Sequence, residues 1–244
     1  VLDVLNGTVN PCGKLPDTIA CTPADYPAAD HYGADDRNIY AEDIYVGYRY
    51  FETFAPEKVL YPFGFGLSYT KFEVRLLSAD ETADGITAFA AVQKTGSCPG
   101  KEVVQLYVAD CTGTTGRPPK ELRKFVKVKL EPGEEKQVEL TLAAQDLSYY
   151  DETLGSWYAA PGEYKILLGH SSRDIHATLS VRFSTPRRRP FVIDENTTIG
   201  ELSKDDRTAA IIQQVLAQAG NALTGGNAGG SEIASSEAVA QMLD

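Results

Sequence analysis

Five adjacent pairs of acidic residues are the first candidates for chemistry in this sequence. They lie at Asp35-Asp36, Glu42-Asp43, Glu134-Glu135, Asp194-Glu195 and Asp205-Asp206. Two carboxylates on either side of one bond can act as general acid and general base. Neighbouring side chains of an extended segment point to opposite faces, so an adjacent pair cannot flank a single bond. We therefore interpret all five pairs as solvated surface or helix-start charges.

Two further motifs resemble functional sites but lack the context that such sites need. His170, Ser171 and Asp174 could suggest a hydrolase triad, yet they crowd into one predicted strand-end loop. Residues 64–66 (GFG) could open a dinucleotide-binding motif, but Tyr69 occupies the third glycine position and no βαβ unit surrounds it. We predict neither a triad nor a nucleotide site.

The dipeptide Tyr48-Arg49 is the polar pair with two open interpretations. A planar guanidinium beside tyrosines could orient a sugar or brace a carboxylate. The same side chain could instead satisfy backbone carbonyls at a domain junction, which is the interpretation we favour. A functional role predicts that Arg49→Ala changes KM with little loss of folding.

Zinc-type ligands are few and scattered. No two cysteines form a CxxC pair. The candidate ligands are Cys12, Cys21, Cys98, Cys111, His31, His170 and His176. We therefore predict no metal and no cofactor. Free thiols are expected, because four cysteines are too few for a disulfide framework in a chain of this length. Free thiols and an acidic composition favour the cytoplasm, although the localisation stays open.

Composition excludes several classes of partner. The chain has 244 residues, a net charge of −11 and 43% hydrophobic residues. Such a charge argues against nucleic acid and against an anionic membrane surface as partners. No apolar run approaches the ~20 residues of a membrane span. The chain starts at Val1 rather than at methionine, and we expect both ends to be cut from a longer protein.

The central region, 71–184, is predicted to be an antiparallel β-sandwich. Apolar residues alternate with polar ones in five segments, as in Val126, Val128 and Leu130. Period-2 alternation is typical of strands with one buried face, and seven or eight short strands over ~110 residues indicate two packed sheets. Trp157, the only tryptophan, is predicted to pack in or beside this core.

The flanking regions follow other patterns. Residues 1–7 (VLDVLNG) predict the end of a helix, and 10–40 predict a long ordered loop. Residues 44–51 are rich in tyrosine and valine and predict a strand that pairs with 61–70 (YPFGFGLSYT), a rigid and buried chain crossing.

Beyond the sandwich, residues 185–190 (TPRRRP) predict a solvated basic linker, followed by a helical tail. Capping boxes are predicted at Thr198 with Glu201 and at Ser203 with Asp206. The apolar face of the next helix is predicted to end at Gly220, before a Gly/Asn loop and a last helix from Ser235 or Ser236.

Five motifs in order give the sequence a clear resemblance to glycoside hydrolase family 3. They are 9–16 (VNPCGKLP), 41–50 (AEDIYVGYRY), 61–72 (YPFGFGLSYTKF), 102–108 (EVVQLYV) and 130–134 (LEPGE). Cys12 replaces the usual serine of the first motif, and Asp43 replaces the usual glycine of the second. The resemblance extends over residues 1–183.

The resemblance implies a mainly β fold divided into three parts. Residues 1–70 would be the C-terminal end of an α/β sandwich domain, 71–184 a fibronectin type III-like sandwich, and 185–244 a linker and truncated helical tail. The full enzyme would be β-glucosidase-like and cleave terminal β-linked sugars by a retaining, two-carboxylate mechanism without cofactor. Family members place the aspartate nucleophile and the usual glutamate acid/base outside the motifs matched here. We therefore assign no catalytic and no substrate-binding residue.

As part of such an enzyme, the chain is expected to brace the catalytic domains and to be inactive alone. Its partners would be the rest of the same enzyme and a glycoside or oligosaccharide, and homo-oligomerisation stays open. The competing hypothesis is a stand-alone carbohydrate-binding or adhesion module. Such a platform normally exposes a row of aromatics, whereas the aromatics here fall mostly on predicted core or junction positions.

Overall fold

The computed structural model describes residues 1–31, 33, 37, 39–114, 116–185, 193, 196–204 and 208–223, with the backbone alone described at 204 and 218–223. The chain divides into two compact units, Val1–Arg187 and Arg188–Asp244, which are described separately below. Among the helices of these residues, none combines the length and apolar character that crossing a lipid bilayer requires.

Residues 1–70, here called the lead-in segment, contain little regular structure. Their elements are helix α1 (Leu2–Leu5), strand β1 (Ile19–Ala20), helix α2 (Tyr48–Phe54) and strand β2 (Val59–Tyr61), with 3-10 turns at Pro23–Asp25 and Pro56–Lys58. Helix α1 ends at Asn6 and Gly7, and Gly7 has a φ of 78°. This left-handed residue stops the helix, as predicted.

The predicted strand over 44–51 is wrong, because this stretch enters helix α2. Tyr48, Phe51 and Ala55 follow helical spacing, and Phe51 is only 1% exposed in a small core with Ala20 and Ala55. Burial on one helical face outweighs the β propensity of tyrosine. Strand β2 pairs antiparallel with β1 instead of with a strand from this stretch.

The chain crossing at 61–70 is held firmly, but it is not buried as predicted. Tyr61, Leu67 and Tyr69 are exposed, whereas Gly64 and Thr70 are buried. Two backbone hydrogen bonds fix the segment, from Leu15 N to Phe65 O (2.8 Å) and from Gly64 N to Leu15 O (2.9 Å). Backbone pairing rather than ring burial therefore sets its conformation.

The β-sandwich is confirmed. Its strands are β3 (Phe72–Thr82), β4 (Gly85–Lys94), β5 (Gly100–Asp110), β6 (Glu121–Leu130), β7 (Glu135–Ala143), β10 (Gly162–Gly169) and β11 (Ile175–Phe183). They form an antiparallel four-stranded sheet in the order β11-β10-β5-β6 and an antiparallel three-stranded sheet in the order β3-β4-β7. The inward residues of both sheets form one core, which includes Ile86, Leu106, Leu142, Tyr164 and Ile166.

Between β7 and β10, the chain forms helix α3 (Ala144–Leu147) and a two-stranded hairpin of β8 (Tyr149–Asp151) and β9 (Ser156–Tyr158). The prediction that Trp157 packs in or beside the core is wrong, because this side chain is 58% exposed. The hairpin has its own alternation, in which Asp151 and Tyr158 are buried and Trp157 faces out.

Polar contacts fix both ends of the sandwich. Directly before β3, where the chain enters the sandwich, Thr70 Oγ1 accepts a hydrogen bond from Lys94 Nζ, which also donates to Gly96 O. Where it leaves β11, Ser184 N and Oγ both donate to Glu81 Oε1 of β3, at 2.5 and 2.6 Å.

The second unit contains helices α4 (Ile199–Lys204) and α5 (Ala209–Leu223). The capping box at Thr198 is confirmed, because Thr198 and Glu201 exchange side-chain to backbone hydrogen bonds. Ser203 is not a cap, since it lies inside α4 and donates to Ile199 O at 2.8 Å. Helix α5 continues through Gly220 rather than ending there.

Several predicted features lie outside the described residues. They are the core of the basic linker at 186–190, the partner Asp206 of the second capping box, the Gly/Asn loop from 224 onward and the last predicted helix from Ser235 or Ser236.

We expect Leu106→Ala to lower the free energy of unfolding by about 2–5 kcal/mol, because it removes a fully buried side chain from the core. Leu77→Ala, at a side chain that is 46% exposed, should change it by less than about 0.5 kcal/mol. Chemical denaturation of both variants measures the difference, and equal losses would contradict the core described above.

Candidate functional site

The acidic pairs predicted from the sequence are not brought together among the described residues. Asp43, Glu134 and Glu135 are exposed and Glu42 is half-buried, and Glu135 pairs with Arg75 on the sandwich surface. The remaining six acidic residues, Asp35, Asp36, Asp194, Glu195, Asp205 and Asp206, lie outside the described residues.

The loop at 170–174 is a turn rather than a triad, as predicted. Ser171 Oγ accepts hydrogen bonds from the backbone N–H groups of Arg173 (3.3 Å) and Asp174 (2.9 Å). His170 N donates to Asp174 O at 2.9 Å, and its ring faces Glu102. The histidine ring therefore has a carboxylate, not the Ser171 hydroxyl, as its partner.

Buried polar groups instead converge where the lead-in segment lies on the sandwich. We call this region the junction, and Gln105 of β5 is at its centre. Gln105 Nε2 donates to Gly64 O (3.2 Å) and to His170 O (2.6 Å), and Gln105 Oε1 accepts from Tyr107 O–H at 2.6 Å. Ser172 N also donates to Phe63 O at 2.9 Å.

Gly64 is required by this packing. Its φ is 80°, and a Cβ added there would overlap the side-chain amide of Gln105. Any larger residue would both strain the backbone and displace the glutamine. The glycine therefore permits the close approach of the crossing to strand β5.

A buried ion group ties the first family-like motif to the sandwich. Lys14 Nζ lies 2.8 Å and His170 Nδ1 lies 3.1 Å from Glu102 Oε1, and the Glu102 side chain is only 7% exposed. Burial acts to raise the pKa of Glu102, but its contacts with His170 and Lys14 outweigh burial and hold the pKa below its usual range.

Helix α2 docks through a second cluster. Arg49 Nη1 lies 3.4 Å from Glu121 Oε1, and Glu121 Oε2 accepts from Arg117 (2.9 Å) and Arg123 (2.6 Å). The Arg49 side chain thus meets a carboxylate at the junction, which agrees with the carboxylate-bracing alternative and not with the favoured backbone carbonyls.

Tyr48, the other member of the predicted pair, is also at the junction. Its hydroxyl accepts from Leu122 N at 2.7 Å, and its ring stacks on Phe63 with centroids 4.6 Å apart. Burial raises the pKa of the Tyr48 hydroxyl, which is accordingly a neutral structural group.

A third carboxylate, Glu52 of α2, links two loops of the sandwich. Its oxygens lie 3.0 Å from Lys120 Nζ and 2.8 Å from Arg173 Nε. Sequence reasoning missed Glu52, Glu102 and Gln105. The detectable signal was the run EVVQLYV in β5, where two polar residues interrupt an otherwise apolar strand that is covered on both faces.

A small cleft opens beside the junction, with a volume of about 150 Å³. Its lining is almost wholly apolar and includes Leu15, Phe63, Val103, Leu122 and Phe125. Among the described residues, no group of three or more His, Cys, Asp or Glu side chains is placed to hold a metal ion. The junction's carboxylates are each paired with a cationic side chain, and these pairs join the lead-in segment to the sandwich.

Comparison with known proteins finds matches both to the sandwich alone and to most of the chain. The family model described as "Fibronectin type III-like domain" matches residues 102–172. The chain is similar to thermostable beta-glucosidase B of Acetivibrio thermocellus, with 42% identity over 228 residues, 91% of this chain and 30% of that protein. It is also similar to beta-glucosidase A of Butyrivibrio fibrisolvens, with 45% identity over 195 residues, 70% of this chain and 23% of that protein.

Solved structures agree with these relatives. A GH3 beta-glucosidase of Bifidobacterium adolescentis superposes with a TM-score of 0.79 and 35% identity, over 86% of this chain and 31% of that one. The beta-glucosidase of Kluyveromyces marxianus, solved in complex with glucose, superposes with a TM-score of 0.72 and 42% identity. This match covers 75% of this chain and 22% of that one.

The chain spans less than a third of the length of each of these relatives. The match to the Acetivibrio thermocellus protein covers 91% of this chain and so includes most of the lead-in segment as well as the sandwich. The chain therefore belongs to glycoside hydrolase family 3, of which it contains the C-terminal part with the fibronectin type III-like domain.

Proposed function

We propose that this chain is part of a β-glucosidase-like enzyme that hydrolyses terminal β-linked sugars, and that it braces the catalytic domains of that enzyme. The two carboxylates of a retaining mechanism, about 5–5.5 Å apart, would lie outside the chain. Residues 1–70 would complete an α/β sandwich domain, 71–184 form the brace, and 185–244 form the linker and tail.

The exposed apolar surface of the lead-in segment carries this proposal. Among the described residues, fourteen large apolar side chains are exposed within 1–70, against five in the longer stretch 71–184. Leu67 is 73% and Tyr40 is 95% exposed. Apolar surface on this scale marks a contact face, and the expected occupant is the rest of the same enzyme.

The junction explains how a domain on that face would be braced. Lys14, Arg49 and Glu52 each bind an oppositely charged side chain of the sandwich or its loops. These contacts are directional, and breaking one partner of a buried pair is costly. Whatever packs on the lead-in segment is therefore held in a fixed orientation to the sandwich.

The purified 244-residue chain should show no turnover of aryl β-glucosides, because it holds neither catalytic carboxylate of the proposed mechanism. The full-length protein should hydrolyse the same substrates in a continuous absorbance assay. Turnover by the isolated chain that survives repurification would contradict the proposal, as would a full-length protein without β-glucosidase activity.

Leu67→Asp tests the proposed contact face directly. In the 244-residue chain, we expect a change of less than about 0.5 kcal/mol, because Leu67 is exposed there. In the full-length enzyme, the same change should cost about 2–5 kcal/mol, since it would bury an unpaired charge. Thermal melts measure both, and Leu77→Asp on β3 is the control that should be mild in both settings. Small and equal effects of Leu67→Asp in the 244-residue chain and in the full-length enzyme would contradict the proposed contact face.

The Glu102 ion group predicts a specific loss of stability in acid. Because the pKa of Glu102 is lower in the folded chain than its ordinary value of 4.5, its contribution is fully present above pH 4.5 and is lost as the pH falls through the folded value. Glu102→Gln should therefore lower Tm at pH 7 and flatten the decline of Tm below pH 4.5.

Glu57→Gln, at an exposed position, is the matched control and should leave the pH profile of Tm unchanged. A Glu102→Gln profile parallel to that of the unchanged chain would show that the carboxylate does not hold the lead-in segment.

A further inference from the structure

The β8–β9 hairpin presents two aromatic rings to solvent side by side. Tyr150 and Trp157 are direct cross-strand partners, and they are 53% and 58% exposed. Their ring centroids lie 5.9 Å apart at an interplanar angle of 81°. The other cross-strand pair of aromatics in the ribbon, Tyr149 with Tyr158, faces the molecule, and Tyr158 is buried.

Contacts of its inward-facing residues fix the hairpin, and this holds its two exposed rings in place. Asp151 is buried and accepts hydrogen bonds from Leu154 N (3.1 Å) and from Tyr149 O–H (3.4 Å). The Arg117 guanidinium lies over the Tyr149 ring at 5.3 Å and also binds Glu121 of the junction. The aromatic pair therefore stands on the end of the sandwich where helix α2 docks.

The size and surroundings of this pair fit a sugar better than a protein partner. A stable protein interface buries about 800 Å² per partner, and two rings cannot supply that area. The turn beside them is polar, with exposed Glu152 and Thr153, while the other exposed large apolar residues of the sandwich, Leu77, Phe89 and Phe125, lie on different strands.

A pyranose offers one flat C–H face that covers a single ring, and its hydroxyls can bind polar neighbours. Because the chain carries a net charge of −11, a neutral glycan fits and a polyanionic one does not. We infer that Tyr150 and Trp157 form a stacking subsite for a neutral sugar unit of an oligosaccharide. This inference rests on the proposed glycosidase function, which supplies such a ligand.

Trp157 makes the test direct, because it is the only tryptophan of the chain and its emission reports on this position alone. Titration of the 244-residue chain with cellohexaose, xylohexaose and laminarihexaose should change the Trp157 emission in a saturable way for at least one sugar. No change with any of the three, up to millimolar concentration, would overturn the subsite.

Calorimetric titration of variants then locates the binding. Tyr150→Ala and Trp157→Ala should each weaken the affinity for the responding sugar by about tenfold, as expected for the loss of one aromatic contact. Phe125→Ala removes a ring that is 66% exposed on β6 and should leave the affinity unchanged. Equal affinities in all three variants would place the sugar elsewhere and overturn the inference.

The full-length enzyme separates this inference from the proposed function. With Trp157→Ala, kcat/KM for an aryl β-glucoside should stay unchanged, while KM for the responding hexasaccharide should rise. An enzyme that cleaves both substrates identically with and without Trp157 would keep the glycosidase function and remove the subsite. An enzyme inactive on every β-glucoside would refute the function itself.

Discussion

The attachment of the lead-in segment to strand β5 is the constraint on which the rest of this structure depends. Gly64 brings the crossing close enough for Gln105 to bind its carbonyl, and Glu102, on the same strand, binds Lys14. Strand β5 of the four-stranded sheet thereby holds the lead-in segment in place. Among its described residues, that segment has almost no core of its own. The small cluster around Phe51 could not order that segment alone.

This attachment is polar where an apolar one could have been stronger. Buried ion pairs contribute little net stability compared with well-packed apolar groups, but they accept only one arrangement of partners. Glu52 and Glu121 each meet two or more cations from different parts of the chain, and Glu102 meets Lys14 and the ring of His170. The junction therefore favours a single orientation of the lead-in segment over maximal affinity for it.

Sequence reasoning succeeded where a short repeating pattern determines the structure. Alternation was enough for the sandwich, and the Thr198 capping box depends only on residues three apart. It failed where distant contacts decide the outcome. Helix α2 forms because Phe51 has an apolar site to fill, and Trp157 faces solvent because the hairpin has its own inward pair.

The junction was the least predictable part, because its members are spread along the chain from Lys14 to Arg173. Only the resemblance to a family placed their motifs in one molecule, although the polar residues inside the apolar strand β5 are a signal that could have marked the junction in advance.

The hydrogen bonds of Ser184 to Glu81 attach the residue that follows β11 to the far end of β3. The chain comes in beside the start of β3 and leaves beside its far end. A strand of eleven residues at about 3.3 Å per residue separates these points by roughly 35 Å. The sandwich therefore lies in series along the polypeptide and is held at both ends. A change in the length or twist of β3 would therefore alter the distance between the points where the chain enters and leaves the sandwich.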